Sequence, residues 1–258
     1  MRSVSTRFLL PALVPMLVLS TALLAADAVP QFLKDAVSDP ARPADDTARD
    51  AERKPAESMA FAGVQRKSTV IELMPGGGYY TRLLSKAIGP DGHLYELVPA
   101  LPANAPAGTP DRSVPIKALA ADPACRNITV LVQPIRELDL PNNADLVWTS
   151  DNYHDLHNAA GLDLLTFNKA VFKALQPGGV YLVIDHAAAA NAPDDVTSTL
   201  HRIRAETVIE EVKAAGFVLD AQSNALQHPD DSHELKVFDP AVKGKTDQFM
   251  LRFHKPLH

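Results

Sequence analysis

Seven short apolar runs, with helical or turn-rich stretches between them, constrain the fold of this chain more than any other feature. They read STVIELM, HLYELV, ITVLVQ, ADLVWTS and VYLVIDH, followed by two late segments near Phe217–Ser223 and Gln248–His254. Runs that are apolar almost throughout are the signature of strands buried on both faces, as in a parallel sheet. Between them, Tyr79–Ala87 has helical periodicity, Leu162–Leu175 is amphipathic and ends in QPGG, and AETVIEEVKAAGF closes in Gly216. GPDG at 89–92 is a turn. This alternation predicts an α/β fold, a doubly wound, mostly parallel, seven-stranded sheet, with VLDAQSN and QFMLRFHKP as a hairpin at one edge.

Three stretches divide the chain. In residues 1–26, Arg2 and Arg7 precede the apolar run FLLPALVPMLVLSTALLA, and small residues follow at Ala25, Ala26 and Ala28. That is the pattern of a secretory signal peptide, so a periplasmic or secreted location is expected, with no stable membrane anchor after cleavage. Residues 27–69 should form two short helices, the second starting at Lys54-Pro55, where proline suits a first turn. Arg42, Arg53 and Lys54 there read as solvated helix charges, or alternatively as closing over a bound carboxylate. Residues 70–258 carry the sheet, and Pro99–Asn127, dense in Pro and Ala, reads as a loop with one short helix.

Without Arg2 and Arg7 the basic count falls from 25 to 23 against 31 acidic residues, a net charge near −8 that disfavours a nucleic-acid partner. Cys125 is the only cysteine, so the fold has no intramolecular disulfide and rests on its core.

The stretch VIELMPGGGYYTRLL, Val70 to Leu84, places three glycines between the first strand and the helix after it. In a doubly wound sheet that turn lies where ligands bind, its glycines let a ligand approach the backbone, and the helix presents free N–H groups. Glu72 at the strand end, LLSKAIGPDGHLY after the turn and ALQPGGVYLVI later in the chain together resemble class I S-adenosylmethionine-dependent methyltransferases. Residues 42–256 further resemble an exported bacterial branch of predicted methyltransferases, through RKPAE, GGGYYTRLL, DLVWTSDNYHDLH, LQPGGVYLVIDH, HRIRAETVIEEVKAAGF and VFDPAVKGKTDQFMLRFHKP.

The resemblance implies a Rossmann-like methyltransferase fold with S-adenosylmethionine as cofactor and a small-molecule acceptor. It makes Glu72 the partner of the cofactor's amino group and Gly76, Gly77 and Gly78 the close-approach turn. It further points to Asp151 at the end of the fourth strand. Three positions depart from the family pattern. Met74, followed by Pro75, replaces the first glycine. Val98 replaces the ribose-binding carboxylate, with Glu96 two residues earlier on the same face. Gln133 stands where an acidic residue contacts adenine, and its amide can still hydrogen-bond.

DNYHDLHN at 151–158 ends the fourth strand, next to Asp185-His186 at the end of the fifth, so His154, Asp155, His157 and His186 could converge; His201, Arg202, His233 and Glu234 follow on later segments. Three readings stay open. Tyr153, His154 and His186 line an acceptor pocket, with an imidazole, His154 first, as base. Alternatively His154, His157 and His186 plus a carboxylate bind a divalent metal, since His-x-x-His places two rings on one helical face. In the third reading these histidines cap helices or lie at the sheet rim. A periplasmic metal- or small-molecule-dependent enzyme, or a binding protein, on a methyltransferase scaffold is the corresponding alternative function.

Overall fold

The computed structural model describes residues 29–102 and 105–257; the expected signal segment lies outside them. The seven apolar runs form one sheet: β1 (Thr69–Leu73), β2 (His93–Pro99), β3 (Ile128–Gln133), β4 (Ala144–Ser150), β5 (Leu175–His186), β6 (Val218–Ser223) and β7 (Gln248–His254). Their order is β3-β2-β1-β4-β5-β7-β6. The first five pair in parallel, and β7 runs antiparallel between β5 and β6. The late hairpin is therefore at the edge, as expected, with its second strand turned inward. The winding direction reverses between β1 and β4, which places a crevice beyond their carboxyl ends.

Alternation along each strand sends successive side chains to opposite faces, and each face has its own core. Val70, Leu94, Trp148 and Leu182 pack under the helix Tyr79–Ile88 and the N-terminal helices. Ile71, Leu97, Val147 and Val183 pack under the helices Leu164–Ala174 and Ala205–Ala214. Among the described residues no helix is long and apolar enough to cross a membrane.

Two local features differ from the sequence expectation. β5 begins at Leu175 rather than Val180, because QPGG continues extended beside β4 across a register shift at Ala144/Leu146. Gly179 permits that approach: a Cβ there would meet the carbonyl oxygens of Gln176 and Ala144 at 2.9 and 3.0 Å. The N-terminal stretch forms four short helices, Gln31–Val37, Ala44–Thr47, Asp50–Arg53 and Pro55–Ala62. Proline disfavours α backbone in the residue before it, and Lys54 takes φ 40°, breaking the last two apart at the expected Pro55. Ser113–Ala120 is the helix expected inside the long loop.

Arg42 and Arg53 of this segment are not solvated. Arg42 is buried and grips Asp50 with two 2.7 Å bonds, while Tyr79 donates to the same carboxylate at 2.6 Å. Arg82 reaches back to Asp46 at 2.7 Å, and Arg53 crosses to Asp151. These contacts lay the N-terminal helices over the carboxyl ends of the central strands. Lys54 bonds the Ala225 carbonyl at 2.7 Å.

Candidate functional site

A cavity of about 320 Å³ opens at the ends of β1, β2 and β4. The glycine turn forms one wall, Val98 and Pro99 another, and Arg49, Arg53 and Asp151 close it from the N-terminal side. Met74 holds φ 56°, left-handed backbone that a side chain rarely adopts, so the chain keeps the conformation of the missing glycine while carrying a side chain there. Gly76 and Gly78 also have positive φ, and Gly78 begins the helix Tyr79–Ile88. A Cβ built on Gly76 or Gly77 meets nothing within 4 Å, whereas one on Gly78 would strike Leu119 at 2.5 Å. Two of the three glycines therefore border open cavity, and the third is required by packing.

Glu72 lines the cavity floor and accepts from Thr81 Oγ1 at 2.7 Å. Beside it in register stands Glu96, fully buried, with no cation against either oxygen. Burial pushes Glu72 up to about 7, with Thr81 pulling the other way; burial and neighbouring Glu72 push Glu96 well above the ordinary carboxylate range. Both carboxyls are therefore biased toward their neutral forms, and neither oxygen of Glu96 has a hydrogen-bond partner among the described residues. Glu96 lies beneath the floor and does not line the cavity, so the structure does not bring it to the expected ribose position. Gln133 is also absent from the wall, because its amide is spent on the loop: it donates to the Asp139 carbonyl at 2.8 Å and accepts from the Asp139 N–H at 3.0 Å.

A second cavity, of about 640 Å³, shares Arg49, Arg53 and Asp151 with the first and extends to His186, Phe238, Thr246 and Gln248. Asp151, at φ 59°, is the partition: one oxygen pairs with Arg53 at 2.5 Å and the other accepts from Gln248 at 2.6 Å. Burial opposes its charge, but Arg53, His186 and Arg49 outweigh that and hold its pKa low. His186 contacts Thr246 Oγ1 through Nδ1 at 2.8 Å. Arg49 lines both cavities and forms no ion pair among the described residues. Sequence reasoning missed Arg49, Arg112, Thr246 and Gln248; the available signal was the i, i+4 spacing of Arg49 and Arg53 in DTARDAER, which puts both guanidinium groups on one side of the segment.

The histidine cluster divides. His154 is drawn inward: Nδ1 lies 2.7 Å from Asp185 Oδ1, its backbone N–H donates to Oδ2, and the ring lines neither cavity. Tyr153 also turns inward, donating to Glu211 at 3.0 Å and accepting from Asn168 at 2.8 Å. His157 pairs with that same Glu211 at 3.2 Å, so His154, His157 and His186 do not form the expected metal set. The helix Tyr153–His157 is one turn long, and its two histidines answer to different acids: His154 to Asp185 under β5, His157 to Glu211 on the helix Ala205–Ala214. Only His186 of the expected catalytic residues borders a cavity.

No protein-family model matches the chain, and neither does any curated protein. Solved structures do. A SAM-dependent methyltransferase from Aquifex aeolicus superposes at a TM-score of 0.57 with 16% identity, covering 80% of this chain and 92% of its own. A protein from Galdieria sulphuraria described as a sarcosine dimethylglycine methyltransferase gives 0.59 and 15%, covering 83% and 88%. The fold is that of the class I S-adenosylmethionine-dependent methyltransferases. At these identities the likeness speaks for the fold alone, and another neighbour, SpnF, is a [4+2]-cyclase, at 0.56 and 13% over 81% and 82% of the two chains.

Proposed function

We propose that the first cavity binds S-adenosylmethionine and that the second holds a small-molecule methyl acceptor. The observation that carries this reading is the open space over Gly76 and Gly77, bordered by Glu72 below and by Arg49 and Arg53 beside it. The donor set suits a zwitterionic amino-acid group. Glu72 accepts from an ammonium, and Arg49, whose guanidinium has no acidic partner among the described residues, faces a carboxylate. Val98 and Pro99 offer a ribose no carboxylate, so that half would be held by shape and backbone.

When bound, S-adenosylmethionine supplies an electrophilic methyl group. The chain's part is alignment across the Arg53–Asp151 seam and exclusion of water from it. His186 borders the second cavity, its Nδ1 against Thr246 Oγ1 at 2.8 Å and Gln248 Nε2 at 3.4 Å, and as a neutral imidazole it would take the proton of an attacking hydroxyl or amine. This moves the role of base from His154 to His186, because Asp185 holds His154 inside.

Thermal melting with and without cofactor tests the reading. A ligand that binds only the folded chain raises the melting temperature as its concentration passes Kd. Gly77→Val is the discriminating variant: unlike Gly76, Gly77 does not have left-handed backbone, so its added side chain fills the cavity without straining the turn. The expected result is an upward shift for the natural chain and none for a folded Gly77→Val variant. Equal shifts in both would contradict the assignment.

The second reading, a small-molecule enzyme or binding protein that has left S-adenosylmethionine behind, is favoured by Val98 at the ribose position and by the engagement of Gln133 elsewhere. Export is proposed with either reading, on residues 1–26.

A further inference from the structure

His154, Asp155 and His201 present one ligand atom each, and these atoms all lie within 4.8 Å of one another. His154 Nε2 is 3.5 Å and His201 Nδ1 3.6 Å from the same Asp155 Oδ1. Both separations are long for hydrogen bonds. They suit ligands of one ion instead: bonds of about 2.0–2.2 Å at tetrahedral angles place neighbouring ligand atoms roughly 3.3–3.5 Å apart.

Two further observations point the same way. His154 is almost wholly buried, and Asp185 Oδ1 sits on its Nδ1 at 2.7 Å. That is the carboxylate–histidine arrangement by which an outer acid fixes a ligand imidazole's tautomer, leaving the Nε2 lone pair to face the ion. Asp185 itself is fully buried and is used up by this task, accepting from the backbone N–H groups of His154 and His186 as well. Second, His201 holds φ 56°, a left-handed conformation that costs energy outside glycine and turns its ring against His154, edge to face at 5.4 Å. Phe238 backs the ring from the other side at 4.9 Å.

We infer that His154, Asp155 and His201 form a binding site for a divalent first-row transition ion, of the two-imidazole, one-carboxylate type taken by zinc, iron(II) or manganese. Three protein ligands leave a position open. Asp155 lines the first cavity, and Phe238, against His201, lines the second. The set differs from the one expected from sequence. His157 and His186 are absent, Asp155, next to His154 in the chain, supplies the carboxylate, and the parallel bridge between Ala187 and Ile203 brings His201 over the end of β5.

The test is titration of tag-free, chelator-treated full chain with Co²⁺ and, separately, Zn²⁺, followed by visible absorption and calorimetry. One equivalent should bind, with cobalt bands of a four- or five-coordinate ion. His201→Ala and Asp155→Ala should each weaken binding at least tenfold while leaving the circular dichroism unchanged, both side chains lying nearer the surface than His154. His157→Ala should bind as the natural chain does. Absence of stoichiometric binding overturns the proposal, and so does binding that survives both His201→Ala and Asp155→Ala. None of these readouts depends on S-adenosylmethionine.

Discussion

Arg53 and Asp151, 98 positions apart in the chain, meet at 2.5 Å and form the wall between the two cavities. The pair ties the N-terminal helices to the end of β4, and Gln248 braces it from β7. Asp151→Asn should keep the left-handed backbone, which asparagine tolerates, while leaving Arg53 without its counter-charge. Since both groups retain partial exposure, the expected loss is about 1–2 kcal/mol, less than for a fully buried pair, measured by urea unfolding. An unchanged midpoint would mean the contact is incidental.

The Arg202–Asp231 pair is the opposite case. Both side chains are fully buried, joined by bonds of 2.8 and 3.1 Å, and Asp231 also accepts from the backbone of His233 and Asp247. Asp231→Ala strands a buried guanidinium and releases the loop between β6 and β7, so the expected loss is about 3–5 kcal/mol. Denaturant unfolding of the variant beside the natural chain measures it; a loss below about 1 kcal/mol would show that solvent reaches the site.

Glu72 and Glu96 predict a pH dependence. Both carboxyls are held above the usual 4.5, Glu72 at about 7, so the native chain binds more protons than the unfolded chain between these values. The contribution of Glu72 to stability is full below about pH 4.5 and is lost as pH rises through about 7. Unfolding free energy should carry a falling component of about 2–3 kcal/mol across that window. Glu72→Gln, which does not titrate, should flatten it. A natural chain and a folded Glu72→Gln variant with parallel pH profiles would refute the raised titration of Glu72.

Export is testable without the fold. Residues 1–30 fused to a reporter active only outside the cytoplasm should give signal, and the chain should be recovered with its N-terminus cleaved. Full-length, unprocessed protein in the cytoplasm would reject the proposed location.

The sheet was legible in the sequence because the strands other than β6 are compact apolar runs and each is separated from the next by turn residues or a periodic helix. The turn was legible too, since Gly76 and Gly78 have few structural equivalents. What sequence could not convey was direction. Tyr153, His154 and His157 lie within five positions on a single-turn helix, yet their side chains are aimed by Asp185 and Glu211, acids that become neighbours only through the parallel crossovers. Glu96 keeps the alternation that places it on the face of Glu72, but depth decides its role: it stops beneath the cavity floor. The N-terminal arginines looked solvated because their acids, Asp50 in the next helix and Asp151 beyond β4, are set by how the segment folds back.

The central claim is that the cavity between Glu72 and Arg53 holds S-adenosylmethionine, and calorimetric titration of the purified chain measures it directly. The account predicts one-to-one binding of S-adenosylmethionine and of its demethylated product S-adenosylhomocysteine. A flat titration with both, on protein shown to be folded, would contradict it.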